Sequence, residues 1–483
     1  MKKIGKKRLT HKRAKNHYLY ACKTEPMPAR AAKGLMHRIA DKMDNWHMTR
    51  ISASLSSLFI ILFVAASFFQ LADREEERTA RAWALLTNQA PGNSGKVWAL
   101  DYLHSESLCI PFTHWCMKKP EPLVGIDLSP RNGGAGAYLV GVNLIGANLV
   151  SSNLAKADLR GADLRNTFLT DATLHKADLS GAKLFGSDLR NANMSEANLT
   201  GTSLAGIKLR GAQLDKIDLS NRDFKNVDLS GCRLTQVNLS GANLQAANLT
   251  GTNLYGANLI GAQFEGTIFA NTNLEASSLS GGDLHNMDLR NSNLSFADLT
   301  KSNLSGADLA DSDLSNANLS GAILIGTRLT KTSLFKANLS SARIYGAKLF
   351  GTDFREANLS NVNLDDALLA EQDLSGVKFR SASLRDAMLR GANLSGTDLF
   401  GADLSGANLT NATLTKAFML STVLNGTNLS GADLREVDFG QHYTHSAAKK
   451  LFQKKLNKAC FISSVGKPKL PKGFKPPPHC RKG

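Results

Sequence analysis

Six cysteines and eleven histidines are the residues of this 483-residue chain best suited to redox, metal or nucleophilic chemistry. Cys109 lies near Cys116 and Cys460 near Cys480, whereas Cys22 and Cys232 stand apart. Thiols so spaced form disulfides in an oxidising compartment and stay free in a reducing one. His104, Cys109, His114 and Cys116 could also gather around a metal, although their spacing matches no zinc finger or ribbon. Disulfides are expected at both pairs if the compartment oxidises them. Other motifs stop short of chemistry. Gly95-Lys96 lacks the upstream Gly and the following Ser or Thr of a phosphate loop, and Gly134-Ala135-Gly136 runs on to Leu139 where a dinucleotide loop requires Gly. Gly201-Thr202-Ser203-Leu204 ends at Ala205, so it is no nucleophile elbow. His175 and His285 are isolated, and Asn-Leu-Ser/Thr triplets arise from a repeat rather than from glycosylation signals. No catalytic, cofactor or metal residue is assigned, and no enzyme is expected.

The formal charge of +17 divides unevenly along the chain. Lys and Arg against Asp and Glu number 14 against 3 over residues 1–50, 7 against 8 over 51–136, 26 against 30 over 137–439, and 11 against 0 over 440–483. The basicity therefore belongs to the two tails. A basic tail binds nucleic acid or an anionic membrane face. The first tail adjoins Ile51 to Ala72, 22 residues without a charge. As a helix that run covers roughly 33 Å, against a hydrocarbon core of about 30 Å. It is too long for the apolar part of a signal peptide and is expected to be a transmembrane helix. Lys and Arg crowd its N-terminal side while Asp73-Arg74-Glu75-Glu76-Glu77 follow it. The positive-inside rule then puts residues 1–50 in the cytoplasm and everything after residue 72 outside, for a single pass of the inner (plasma) membrane.

From Leu139 to Phe439 every fifth residue is large and apolar, giving 61 pentads with Leu at 52 centres. Two residues earlier the side chain is nearly always small, as in Ala157-Asp158-Leu159 and Ala402-Asp403-Leu404. Period five fits neither a helix nor an ordinary strand. It fits a coil in which each pentad makes one short extended side and one corner, the small residue and the Leu pointing inward. Arg222 and Gln372 break the small-residue rule, and a local bulge is expected at each.

These pentads, for example Ala242-Asn243-Leu244-Gln245-Ala246, resemble those of the pentapeptide-repeat proteins. The resemblance implies a right-handed quadrilateral parallel β-helix with four pentads per turn, an all-β solenoid of about 15 coils and on the order of 70 Å in length. The domain order is then a basic tail (1–50), a transmembrane helix (51–72), a helical linker and N-terminal cap (73–136), the β-helix (137–439), and a basic helical C-terminal cap with a Pro-rich tail (440–483). Open coil ends need caps. Helical spacing over Asp73 to Asn88, Gly95 to Ser107 and Ala447 to Cys460 supplies them, the last with Leu451, Phe452 and Leu456 on one side. The stretch from Leu456 to Cys480 resembles the tail of envelope members of the family and reads as an extended strap.

Function must then lie on the outward positions. A hydroxyl stripe from Ser180 to Ser360 at 20-residue spacing is read as tolerable corner residues. Residues 321–360 differ. There Ile325, Phe335, Tyr345 and Phe350 stand among Arg343, Lys348 and Arg355, with six basic residues against two acidic, after a stretch 241–320 with two basic against eight acidic. Such an axial charge step with exposed aromatics marks these seven residues as partner-binding candidates. Three function classes compete: a membrane-anchored scaffold facing the cell envelope, a duplex-nucleic-acid mimic that binds a topoisomerase, and an effector acting at host membranes. The nearly neutral solenoid and its placement outside the cytoplasm favour the scaffold, with the bilayer and an unidentified protein as partners. Nucleic acid is not the expected partner, and a homo-oligomer is compatible with the reading.

Overall fold

The computed structural model describes residues 54–87, 95–104, 123–130, 134–439 and 445–480. The chain divides into two compact units, Met1–Asp73 and Arg74–Gly483. Three helices are present among the described residues: α1 (Ser54–Thr87), α2 (Lys96–His104) and α3 (His445–Leu456). Most of the uncharged run 51–72 is thus helical, although of its side chains only Leu62, Phe63, Ala66, Ser67 and Gln70 are among those described. Among the described residues no helix is long and apolar enough to cross a membrane.

Between Tyr138 and Asp438 the chain makes a four-sided parallel β-helix in which, with few exceptions, the residue before a centre bridges the one 20 positions later, as in Asn238↔Asn258 and Asp288↔Asp308. The sequence forces this geometry. Leu and the small residue two before it lie on the same side of an extended segment, so both are buried, and the axis fills with stacked Leu. At about 1.5–3 kcal/mol for each buried Leu, set against the entropy of ordering its pentad, stability accrues coil by coil. Nearly every corner is a turn closed by a hydrogen bond such as Ala162 N–H to Leu159 O, 3.0 Å. Its third residue has positive φ at each of the positions 141, 146 and so on to 436, of which 27 are Gly and 33 are not. None of the 33 is β-branched, in accord with the steric cost of that conformation. Where Asn or Asp precedes a centre it commonly accepts the N–H two residues on, as Asn148 does from Val150 (3.3 Å), which helps to fix the corner.

The 20-residue ladder lacks only six bridges among the described residues: 198–218, 203–223, 208–228, 263–283, 348–368 and 353–373. The first three surround Arg222, the last two adjoin Gln372, and 263–283 adjoins Gly282. The bulge expected at Arg222 and Gln372 is therefore not an inserted residue, since the five-residue register continues through both. The cause is competition for backbone groups. Arg222 reaches inward and donates to the carbonyls of Thr202 (3.1 Å) and Leu199 (2.8 Å). Gln372, with its amide oriented to satisfy both partners, donates to Thr352 O and accepts from Gly351 N–H, each at 3.2 Å. In the regular coils the carbonyl matching that of Thr202 or Thr352 accepts from the next coil's backbone, as Ala162 O does from Lys183 N–H (2.9 Å), whereas Leu199 O also keeps the Thr202 N–H of its own turn (3.1 Å).

The N-terminal end closes earlier than expected at residue 137. Leu123 and Leu128 are buried, Gly125 N–H donates to Val150 O (2.9 Å), and Asp127 bridges Asn153, so one side of a coil forms before the residues that precede Ala137. Gly136 then runs so close to its neighbour that a Cβ would lie 2.0 Å from the Lys156 carbonyl oxygen. Ala82, Leu86, Leu100 and Leu103 cover this end. At the other end Phe452 and Leu456 of α3 are buried while Leu451 is half exposed, and Phe452, Phe439 and Phe474 pack together at ring separations of 5.1–5.4 Å. The strap pairs with the last coil through Asn428↔Cys460 and Asp433↔Lys469, and Cys460 is joined to Cys480 by a disulfide. Cys109 and Cys116 lie outside the described residues.

Arg222→Ala is expected to let Asp223 N–H reclaim the Thr202 carbonyl and restore the three missing bridges. The variant should melt higher, by roughly 1–3 kcal/mol of stability, and amides near residues 203 and 223 should exchange more slowly by mass spectrometry. A lower melting point would show that the guanidinium holds the coils together.

Candidate interaction surface

The four sides are best named by the residues that bridge along them. Side A carries Asn238 and Asn258, side B Asn243, side C Asp288 and Asp308, and side D Asn253 and Asn273. Residues 20 apart stack on one side, whereas residues 10 apart lie on opposite sides.

Side A is built for its own stability. Asn258, Asn338 and Asn358 each donate a side-chain N–H to the residue one coil earlier at 3.0–3.3 Å. The hydroxyl stripe serves the same turns, as Thr200 and Ser360 hydroxyls donate to Asn198 and Asn358.

Side D holds a recess with catalytic-looking residues, an open depression of about 520 Å³ that includes His175, Ser195, Asp215 and Arg233. Ser195 Oγ donates to Asp215 Oδ2 (3.2 Å), and the same carboxylate receives Arg233 Nε and both the N–H and the hydroxyl of Thr235. His175 Nδ1 faces the Ser195 carbonyl at 3.0 Å, not its hydroxyl. The hydroxyl therefore meets no imidazole, only a carboxylate already held by Arg233 and Thr235. Among the described residues no three of His, Cys, Asp and Glu come together as a metal site. Cys232 is buried, its Sγ donates to Leu209 O (3.0 Å), and burial pushes its thiol up to about 12.

The seven partner-binding candidates do not form one patch. Each pentad turns the chain to the next side, so 40 consecutive residues wrap two coils. Ile325, Arg343 and Tyr345 fall on side B, Lys348 and Phe350 on side C, and Phe335 and Arg355 on side D. Phe335 and Tyr345 therefore face opposite ways. Phe335 is half-buried beneath Lys336 and Arg355, whose charges lie 4.8 and 5.8 Å from its ring. Arg355 is also paired with Asp353 through two hydrogen bonds of 2.7 and 2.9 Å.

Side C brings together what the sequence order separates. Phe350 and Leu368 are each 75% exposed, and residues 18 apart are diagonal neighbours in this lattice, as the Asn318–Thr300 hydrogen bond shows. Met388 extends the patch and Lys331, Lys348 and Arg390 flank it, none of the three in an ion pair among the described residues. Leu368 was invisible to a search by local composition; counting in steps of 20 would have found it.

The family model for pentapeptide repeats matches residues 135–441 in successive segments. The chain belongs to the pentapeptide-repeat family. Members form right-handed quadrilateral β-helices. Similar solved structures include HetL from the cyanobacterium Nostoc, a pentapeptide-repeat protein involved in heterocyst differentiation regulation, at 29% identity over 52% of this chain and 90% of that one, TM-score 0.21. A pentapeptide-repeat protein from the thylakoid lumen of Arabidopsis thaliana is 25% identical over 26% of this chain and 68% of its own, TM-score 0.15. QnrB1, a plasmid-mediated fluoroquinolone resistance protein, is 13% identical over 46% and 95%, TM-score 0.19. No curated protein matches the chain.

Six repeats of this family member place Arg two residues after an acid as a paired unit: Asp158–Arg160, Asp163–Arg165, Asp188–Arg190, Asp288–Arg290, Asp353–Arg355 and Asp433–Arg435. The guanidinium hydrogen bonds hold these carboxyls below their usual range. A depressed folded value means the pairs contribute fully above the unfolded carboxylate pKa of about 3.9 and are lost as pH falls through the folded values. Thermal melts should therefore fall on acidification below about pH 4, and Asp288→Asn with Asp353→Asn should make that fall shallower. An unchanged slope in the double variant would remove the pairs from the account.

Proposed function

We propose that this pentapeptide-repeat protein is a membrane-anchored, non-enzymatic scaffold whose solenoid faces the cell envelope and binds a protein through side C. The Phe350–Leu368 patch carries the reading, because two adjacent large apolar side chains exposed at a flat, cation-flanked surface are what a buried interface anchor requires. The anchor rests on the uncharged run 51–72, its helical backbone from Ser54, and the basic residues before it. The Cys460–Cys480 disulfide supports an oxidising compartment for the C-terminal cap.

Topology is tested by a phosphatase that folds only in the periplasm. Fused after Gly440 it should be active in a bacterial host, and fused after Thr49 inactive, with the opposite pattern reversing the orientation. Alkylation without reductant should leave Cys460 and Cys480 unlabelled, while buried Cys232 reacts only on unfolding.

Binding is tested by Phe350→Ser combined with Leu368→Ser. Both side chains lie off the axis, so stability should change by no more than about 0.5 kcal/mol for each. Crosslinking to the partner in intact membranes should drop by about tenfold or more. Undiminished crosslinking in a folded variant would move the site off side C.

A further inference from the structure

Read down the rungs of side C, the outward residues run Ile268, Asp288, Asp308, Arg328, Lys348, Leu368. The order is apolar, acid, acid, base, base, apolar. Its centre lies between the Asp308 and Arg328 rungs, and about that centre each residue is opposite in charge to its mate or, at the ends, apolar like it.

We infer that side C pairs with side C of a second copy of the chain, the two solenoids antiparallel. This deepens the binding role proposed for that side by naming its partner, and it rests on that reading. A two-fold axis lying in the interface along the strand direction reverses the solenoid but keeps lateral position, so each row of residues meets the same row reversed. Asp308 then faces Arg328 of the second copy in addition to the Arg290 and Arg328 it meets in its own chain, Asp288 faces Lys348 beside its own Arg290, and Ile268 faces Leu368. The neighbouring rows agree. In the corner row Asp311 faces Lys331, and both are exposed and without an ion pair of their own among the described residues. In the row between, Arg290 comes over Phe350, a cation against an exposed ring. Every such contact occurs twice.

Two comparisons show that the match is specific. Parallel pairing of the same side, about an axis along the solenoid, would keep the rungs level and along the central row set Lys348 against Lys348 and Asp288 against Asp288. On adjoining side B the same antiparallel axis would match only Asp283 with Arg343 and would set Glu265 against Asp365. Like charges so opposed cost affinity and suppress those arrangements.

The matched rungs span five steps, about 24 Å at the spacing of paired strands, so the contact is smaller than a standard interface and belongs to the weak, reversible class. Four of those steps are hydrogen-bonded; the fifth, Lys348 to Leu368, is one of the steps without a bridge.

The test is a charge swap in the full chain in detergent, read by sedimentation velocity across the micromolar range. Asp311→Lys and Lys331→Asp each use a residue type already found at positive-φ corners, so both should fold. Wild type should show a concentration-dependent dimer. Each variant alone should dissociate about tenfold more readily, because two attractive pairs become repulsive. Mixing the two in equal amounts should restore wild-type dimerisation, since both variant corners then meet opposite charge. Register is read separately by mixing Ile268→Cys and Leu368→Cys chains, which should form a disulfide with each other, while Ile268→Cys alone should not crosslink to itself. A wild type that stays monomeric throughout, a mixture that fails to recover, or a 268–268 crosslink would each overturn the pairing. If wild type is monomeric while Phe350→Ser with Leu368→Ser loses a foreign crosslinked partner, self-pairing is rejected and the scaffold reading stands.

Discussion

Each coil is held to the next by backbone hydrogen bonds that repeat every 20 residues, and those bonds form only if the coils approach to strand distance. Approach requires the inward residue two before each centre to be small. Where it is small the ladder mostly closes; it opens around Arg222 and Gln372, and once more at Gly282. The polar side chains do more than occupy space. Each offers a donor to a carbonyl that the following coil would otherwise use, so the side chain satisfies the buried acceptor and the coil no longer must. The interruption therefore leaves few orphaned groups, and the Leu stack continues through it.

The second constraint acts on the corners. A left-handed residue at every turn is a recurring steric demand on non-Gly residues, and 33 of them accept it at φ between 52° and 62°. They are mainly Asn, Lys, Asp, Glu and Ser, residues that are polar and unbranched at Cβ. The corner rule thus places charge at regular intervals along each edge of the solenoid as a by-product of backbone conformation. Asp311 and Lys331 are two such corners, which is why a surface pattern can be altered there without touching the core.

Sequence reading recovers the period and the inward pair, because each depends on local residue type. Phe452 and Leu456 pack as their spacing requires, yet Leu451, on the same predicted side, points out, since a single turn of α3 meets the coil end. The early side at Leu123–Leu128 escapes a strict count of fives because the residues after Leu128 break the register before Leu139. The candidate surface is the larger failure. A window of 40 residues takes in all four sides, so Phe335 and Tyr345 fall in one window while facing opposite ways. Leu368, 18 residues from Phe350, lies just beyond that window and beside that ring.

The relevant distance on this protein is therefore not separation along the chain but separation modulo 20. That arithmetic makes the surface unusually easy to rearrange. One extra pentad between residues 308 and 328 would add another Leu to the stack, keep the inward pair and every corner, and leave the core as it is. It would also turn everything after it by one side, carrying Arg328, Lys348 and Leu368 off the column that holds Ile268, Asp288 and Asp308. The core constrains the pentad but not the number of pentads between two surface residues. A charge order that reads the same in reverse with its signs exchanged, held in register over six rungs of one side, is consequently not something the fold imposes, and its explanation has to be sought in what that side meets.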